Sequence, residues 1–81
     1  MRDVVWNSII LDEFVELACL TEDEEKILRT RAKGWTRQKQ AMTFNMSVSA
    51  VDRIIRRLHV KYDAVQPYSP LLPLRHTHDS F

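Results

Sequence analysis

The spacing of apolar residues predicts that the chain opens with a helix over about residues 7–19. Apolar residues recur there with the three- or four-residue period of a half-buried helix. They are Ile9, Ile10, Phe14, Leu17 and Ala18. Asn7 or Ser8 can cap the start of the helix. Leu11 and Val15 widen the apolar arc, so we expect the helix to contact either the domain's own core alone or a second subunit as well.

The second helix has distinct start and stop signals. Thr21 followed by Glu24 has the pattern of a capping box, in which each side chain bonds to the other residue's backbone N–H. Gly34, the only glycine in the chain, stands where a left-handed residue commonly ends a helix. The helix between these signals would face the core with Ile27, Leu28 and Ala32.

Two further helices meet across a short turn. Thr36 can cap the third helix and Ser47 can cap the fourth, while Asn45 between them tolerates the positive φ of a tight turn. The fourth helix, residues 47–62, has one apolar stripe that we expect to be buried, made of Val51, Ile55, Leu58 and Tyr62. The opposite face carries Ser49, Asp52, Arg53 and Arg56.

These elements predict an all-α fold, a small bundle of about four helices in a single domain. Its parts are an N-terminal helix (residues 1–19), a helix-turn-helix core (20–62) and a proline-rich tail (63–81). The prolines of the tail forbid a continuous helix and favour an extended arm. We expect this arm to lie across the domain surface or across a partner, and its end from His76 onwards to fray.

Charge is strongly segregated along the chain, although the net charge is only +1. Residues 1–28 hold two basic residues against eight acids, a net charge of −6. Residues 29–62 hold nine Lys or Arg against Asp52, a net charge of +8. A basic block of this size favours a polyanionic partner on one side of the domain.

Several other kinds of function are disfavoured. No apolar run is long enough to span a membrane, and the residues after Met1 lack the layout of a signal peptide, so we expect a cytoplasmic protein. Cys19, the only cysteine, is expected to be a small buried apolar residue. His76, His78 and Asp79 have metal-like spacing, but we expect neither a metal nor another cofactor. No nucleophile–base pair or phosphate-binding glycine loop is visible, so we expect no enzymatic activity.

The charged face of the fourth helix is the best candidate for a functional site. A helix fits the DNA major groove, and a guanidinium can make paired hydrogen bonds to guanine or to phosphate. The residues predicted to read bases are Ser49, Asp52, Arg53 and Arg56. Asp52 would accept a bond from cytosine or orient a neighbouring arginine. The residues predicted to contact phosphate are Thr36, Arg37, Gln38, Lys39, Ser47, Arg57 and Lys61.

One longer pattern runs without a gap from Leu20 to Tyr62. It consists of an opening Leu-Thr, an Ala-x-Gly-x-Thr turn, an alanine in the third helix, and a serine-capped fourth helix that contains a valine. The residues that carry it are Leu20, Thr21, Glu24, Ile27, Leu28, Ala32, Lys33, Gly34, Trp35, Thr36, Ala41, Met46, Ser47, Val51, Ile55, Leu58, Lys61 and Tyr62. In this pattern the chain resembles the DNA-binding domain of LuxR/NarL-type regulators. The C-terminal DNA-binding region of bacterial sigma factors has similar spacing.

The chain departs from the family pattern in its fourth helix and after it. Ala50-Val51-Asp52 stands where the family has Thr-Val-Lys, and Ile54 stands where it has His. An acid therefore occupies a position that the family uses to contact DNA. The prolines after Tyr62 forbid a long helix in the place of the family's final, dimer-forming helix, and the N-terminal helix is expected to replace it.

The charged face and the resemblance together imply a sequence-specific transcription regulator that places helix 47–62 in the major groove of double-stranded DNA. A homodimer formed through the N-terminal helix would read half-sites about 34–36 Å apart. The alternative is a protein-interaction module that docks on RNA polymerase or on another regulator. Its working surfaces would be the acidic first helices and the apolar arm over residues 68–74.

Overall fold

Four helices make up most of residues 6–73, which are the residues that this computed structural model describes. They are α1 (Ser8–Ala18), α2 (Glu22–Ala32), α3 (Arg37–Thr43) and α4 (Val48–Val65), and a single 3-10 turn (Gln66–Tyr68) follows. This part of the chain contains no strand, and the predicted all-α bundle of four helices is confirmed. Within the same residues, no helix combines the length and the apolarity that crossing a membrane requires.

A side chain caps the first turn of each of these four helices, as the sequence predicts. The first N–H groups of a helix have no partner within it, and a polar side chain at the cap position accepts from one of them. Thr21 also forms the predicted capping box. The Glu24 N–H donates to the Thr21 hydroxyl at 3.2 Å, and the Thr21 N–H donates to the Glu24 carboxylate at 3.0 Å. The other caps are Asn7, Thr36 and Ser47.

Left-handed residues mark three of the turns. Gly34 (φ 90°) lies just beyond α2 and Asn45 (φ 56°) lies between α3 and α4, and both were predicted to adopt this conformation. Cys19 (φ 51°) adopts it too, directly after α1. The prediction that Cys19 is buried is wrong, because the residue ends α1 at the surface and its side chain is exposed.

The other three helices all pack on α4. Its predicted stripe, Val51, Ile55, Leu58 and Tyr62, is buried. Ile54 is buried as well, because it lies three residues after Val51 and four before Leu58 and so shares their side of the helix. The rest of the core comes from α1, α2, α3 and the tail, and consists of Phe14, Ile27, Leu28, Ala41 and Leu72.

The face that α1 turns towards the core is only partly the predicted one, since Ile10, Phe14 and Ala18 lie on it as expected. Ile9 and Leu17 were expected on that face, but they are 65% and 40% exposed. Phe14 is fully buried, and its ring lies 5.1 Å from the ring of Tyr62 in an edge-to-face contact. Aromatic pairs in this geometry are favourable beyond their burial, and this contact sets the rotation of α1. The residues that flank Phe14 against the core are Ile10, Leu11, Val15 and Ala18.

A buried amide holds α3 against α2. The Gln40 side chain is fully buried, and its Nε2 donates to the Ile27 carbonyl at 3.0 Å and to the Thr30 hydroxyl oxygen at 2.8 Å. The Thr30 hydroxyl in turn donates to the Lys26 carbonyl at 2.8 Å. Buried polar groups need such partners, so this network defines where α3 sits on the domain.

The tail folds back on the domain as far as Pro73. α4 continues to Val65, three residues past its predicted end. Beyond it, the Gln66 amide donates to the Leu72 carbonyl at 3.1 Å, and the Tyr62 hydroxyl donates to the Pro73 carbonyl. Leu72 is buried between these two contacts. The predictions for the remainder of the arm and for its frayed end lie outside the described residues.

We expect Leu72→Ala to lower the free energy of unfolding by about 2–4 kcal/mol, because it removes a buried side chain and leaves a cavity. Leu71→Ala is the matched control, since Leu71 is 49% exposed whereas Leu72 is 3% exposed. The control should change stability by no more than about 0.5 kcal/mol. Urea unfolding followed by circular dichroism measures both variants. Equal effects of the two substitutions would contradict this placement of the tail.

Candidate nucleic-acid interface

The turn between α3 and α4 is held by backbone bonds and by a ring contact. The Phe44 N–H donates to the Gln40 carbonyl at 2.9 Å, and the Met46 N–H donates to the Ala41 carbonyl at 2.9 Å. The Phe44 ring stacks on Trp35, with centroids 6.1 Å apart and an interplanar angle of 13°. With α3 fixed on α2 and the turn fixed here, the start of α4 has a defined direction.

Three of the four predicted base-reading residues lie on the exposed side of α4. Ser49, Arg53 and Arg56 are four and three residues apart, so they follow one line along the helix. Neither arginine forms an ion pair with any residue in the part of the chain that the structure describes. The buried stripe on the other side of α4 keeps both guanidinium groups in solvent.

Asp52, the fourth predicted base-reading residue, faces another helix. Its Oδ1 lies 2.7 Å from Nε of Arg37, the first residue of α3. This oxygen is shielded from solvent, and the contact is one of charge, because no N–H points at it in hydrogen-bonding geometry. The sequence suggests two roles for Asp52, accepting a bond from cytosine or orienting a neighbouring arginine. Its position next to Arg37 agrees with the second role.

A buried acid from α2 holds two cations of α4. The Glu24 side chain is 2% exposed, and the Lys61 ammonium lies 2.6 Å from one of its oxygens. The Arg57 Nε lies 3.6 Å from the other oxygen. Both cations were predicted to contact phosphate, so part of the charge expected for DNA is neutralised within the domain. The sequence predicts only part of this arrangement. The capping box accounts for Glu24, but no pattern in the sequence indicates its partners on α4.

Two opposing effects act on the carboxyl group of Glu24. Burial alone would raise its pKa, because the charged form loses contact with water. The hydrogen bonds from the Lys61 ammonium and the Thr21 N–H, together with the Lys61 charge, act the other way and leave the pKa below its ordinary value. Glu24 is therefore ionised at neutral pH, as the two cations beside it require.

The remaining predicted phosphate contacts lie at the starts of α3 and α4 and are exposed. The Thr36 hydroxyl accepts from the Lys39 N–H at 3.1 Å, and the Ser47 hydroxyl accepts from the Ala50 N–H at 3.0 Å. The Lys39 ammonium lies 4.2 Å from the centre of the Trp35 ring, a cation–π distance. Each cap satisfies one N–H in the first turn of its helix, and Gln38 is exposed beside them.

Arg29 belongs to a different part of the surface. Its guanidinium bonds to Asp12 at 2.9 Å and to Glu25 at 2.8 Å, which ties α2 to α1. Both bonds raise the pKa of the Arg29 guanidinium, and the bond to Asp12 has the larger effect. Four of the nine basic residues between 29 and 62 are thus paired with the domain's own acids, namely Arg29, Arg37, Arg57 and Lys61.

The comparisons with known proteins do not identify the site. No protein-family model, no curated protein and no solved structure matches the chain. Residues 6–73 contain no cluster of three or more His, Cys, Asp or Glu that could hold a metal ion. The metal-like spacing of His76, His78 and Asp79 lies outside the described residues.

Glu24→Gln keeps the shape of the side chain and can still complete a capping box, but it removes the charge. We expect it to lower the free energy of unfolding at pH 7 by about 1–2 kcal/mol, because Lys61 and Arg57 lose the buried negative charge beside them. Since the folded pKa of Glu24 is lowered, its stabilisation is complete above the unfolded pKa, about 4.3. It is lost as the pH falls through the folded pKa.

Urea unfolding of the parent and Glu24→Gln, at pH values from neutral to about 3, measures this effect. The variant should show a smaller loss of stability on acidification than the parent. Glu22→Gln is the control, because Glu22 is an exposed partner of Lys26 at 3.4 Å, and such pairs contribute at most about 1 kcal/mol. Parallel pH profiles for the parent and Glu24→Gln would contradict the role of the buried carboxylate.

Proposed function

We propose that the chain is a sequence-specific DNA-binding transcription regulator that places α4 in the major groove of double-stranded DNA. The observation that carries this proposal is the exposed line of Ser49, Arg53 and Arg56, where both arginines lack an acidic partner among the described residues. A helix that presents such a face after a fixed turn has the geometry of a helix-turn-helix reader.

Arginine on this face suits base recognition. The planar guanidinium can donate two parallel hydrogen bonds to O6 and N7 of guanine, and such a pair discriminates against a wrong base by about 1–3 kcal/mol. Ser49, one turn before Arg53, is short enough to let the helix approach the base edges closely. We assign base reading to Ser49, Arg53 and Arg56 and not to Asp52, whose Oδ1 lies against Arg37.

The residues predicted to contact phosphate differ in how closely the domain's own acids hold them. Thr36, Gln38, Lys39 and Ser47 flank the exposed face of α4 at the starts of the two helices. Arg57 is 63% exposed and only loosely held at 3.6 Å from Glu24, so its guanidinium can also reach a phosphate. Lys61 is held at 2.6 Å by the same carboxylate, which makes it the weakest of the candidates.

The resemblance to LuxR/NarL-type regulators supports a role in transcription regulation. This resemblance is the residue pattern between Leu20 and Tyr62. The proposed homodimer through α1 stays a prediction. Ile9 and Leu17 supply exposed apolar surface for it, whereas Phe14 and its neighbours are already used by the domain's own core.

We expect Arg56→Ala and Arg53→Ala each to weaken binding to a preferred duplex by about 1–3 kcal/mol and to relax the preference at one base pair. The preferred duplex would first be selected by the parent protein from a random pool, and affinities would be measured by fluorescence anisotropy over a salt series. Arg29→Ala is the control, because it removes the same charge from a guanidinium bound to Asp12 and Glu25.

The control should bind the duplex as the parent does, provided that circular dichroism shows it folded. If Arg53→Ala and Arg56→Ala bind every probe like the parent, the assignment of this face is wrong. If the parent selects no duplex at all, DNA binding is wrong, and the alternative of a module docking on RNA polymerase or another regulator gains support.

A further inference from the structure

One acid lies inside the basic helix-turn-helix. Asp52 is the only Asp or Glu between residues 29 and 62. It sits in the second turn of α4, and its contact with Arg37 at 2.7 Å joins the starts of the two helices. Because its Oδ1 is turned away from solvent, this oxygen is not placed to accept a bond from a base.

The charge of the Asp52 carboxylate also acts on a second arginine, Arg31. The pKa of Arg31, near the end of α2, is lowered first by burial and then by the charge of Arg37, while Asp52 acts in the opposite direction. Arg31 and Arg37 therefore repel each other, and Asp52 offsets that repulsion. Asp52 therefore stabilises Arg37 in the first turn of α3, where Arg31 alone would repel it.

We propose that Asp52 limits sequence-independent DNA binding, because it offsets the charge of the Arg37 guanidinium, which would otherwise bind any phosphate backbone. This inference rests on the proposed function. Phosphate contacts attract all sequences alike, whereas base contacts depend on sequence. An acid that weakens the first kind of contact lowers the affinity for every duplex by the same factor. A larger share of the remaining binding free energy then depends on Arg53 and Arg56.

Asp52→Asn tests the proposal, because it removes the charge while keeping the size of the side chain. Freeing Arg37 to neutralise one more phosphate steepens the slope of log K against log salt by about 0.9, which corresponds to roughly fivefold tighter binding at 0.15 M salt. We expect this gain on preferred and random duplex alike, so the ratio between the two affinities should stay the same. The preferred sequence itself should not change.

Two controls separate the effect of Arg37 from a general effect of charge. Asp23→Asn removes an equal charge from the exposed first turn of α2 and should leave the salt slope unchanged. Asp52→Asn introduced into an Arg37→Ala background should gain little, since the released guanidinium is absent. Circular dichroism of all variants checks that they are folded.

Different results would overturn different statements. A new preferred base at one position, with the parental salt slope, would make Asp52 a base reader and sink this inference. An equal gain in the Arg37→Ala background would show a general charge effect and also sink it. If the parent binds DNA but Asp52→Asn is no steeper, only this inference fails, whereas a parent that binds no duplex overturns the proposed function with it.

Discussion

The burial of one side of α4 is the constraint on which the rest of the structure depends. Val51, Leu58 and Tyr62 are fully buried, and α1, α2 and α3 all pack on this helix. Turning α4 about its axis would expose these side chains and bury a guanidinium without a partner, and burial of an unpaired charge is far more costly than any gain in contact. Hydrophobic burial therefore decides that Arg53 and Arg56 point into solvent.

Acids inside the domain decide which of the remaining cations are free. Glu24 binds Lys61 and Arg57 across the α2–α4 contact, and Asp52 binds Arg37 across the α3–α4 contact. The net charge of the basic segment therefore overstates the charge that a polyanion would meet. What remains is a narrower set of groups, centred on the exposed line of α4 and bordered by the first turn of α3.

The sequence predicts the parts of this arrangement that depend on neighbouring residues. Caps such as Thr21, the left-handed Gly34 and the stripe of α4 follow from local spacing, and each lies where it was expected. The bond between Lys61 and Glu24 joins residues 37 positions apart, and no local pattern indicates it. The apolar residues of α1 cover more than one side of the helix, so local spacing alone does not decide its rotation. The contact between Phe14 and Tyr62 selects the side that is buried.

A nuclear magnetic resonance titration of the uniformly ¹⁵N-labelled chain with a selected duplex tests the central claim most directly. The side-chain Nε–H signals of Arg53 and Arg56 should shift, along with the backbone amides at the starts of α3 and α4. The amides of α1 should stay in place if the chain binds as a single copy. Shifts confined to α1 and the start of α2, or no shifts at saturating duplex, would contradict the claim that the outward face of α4 meets DNA.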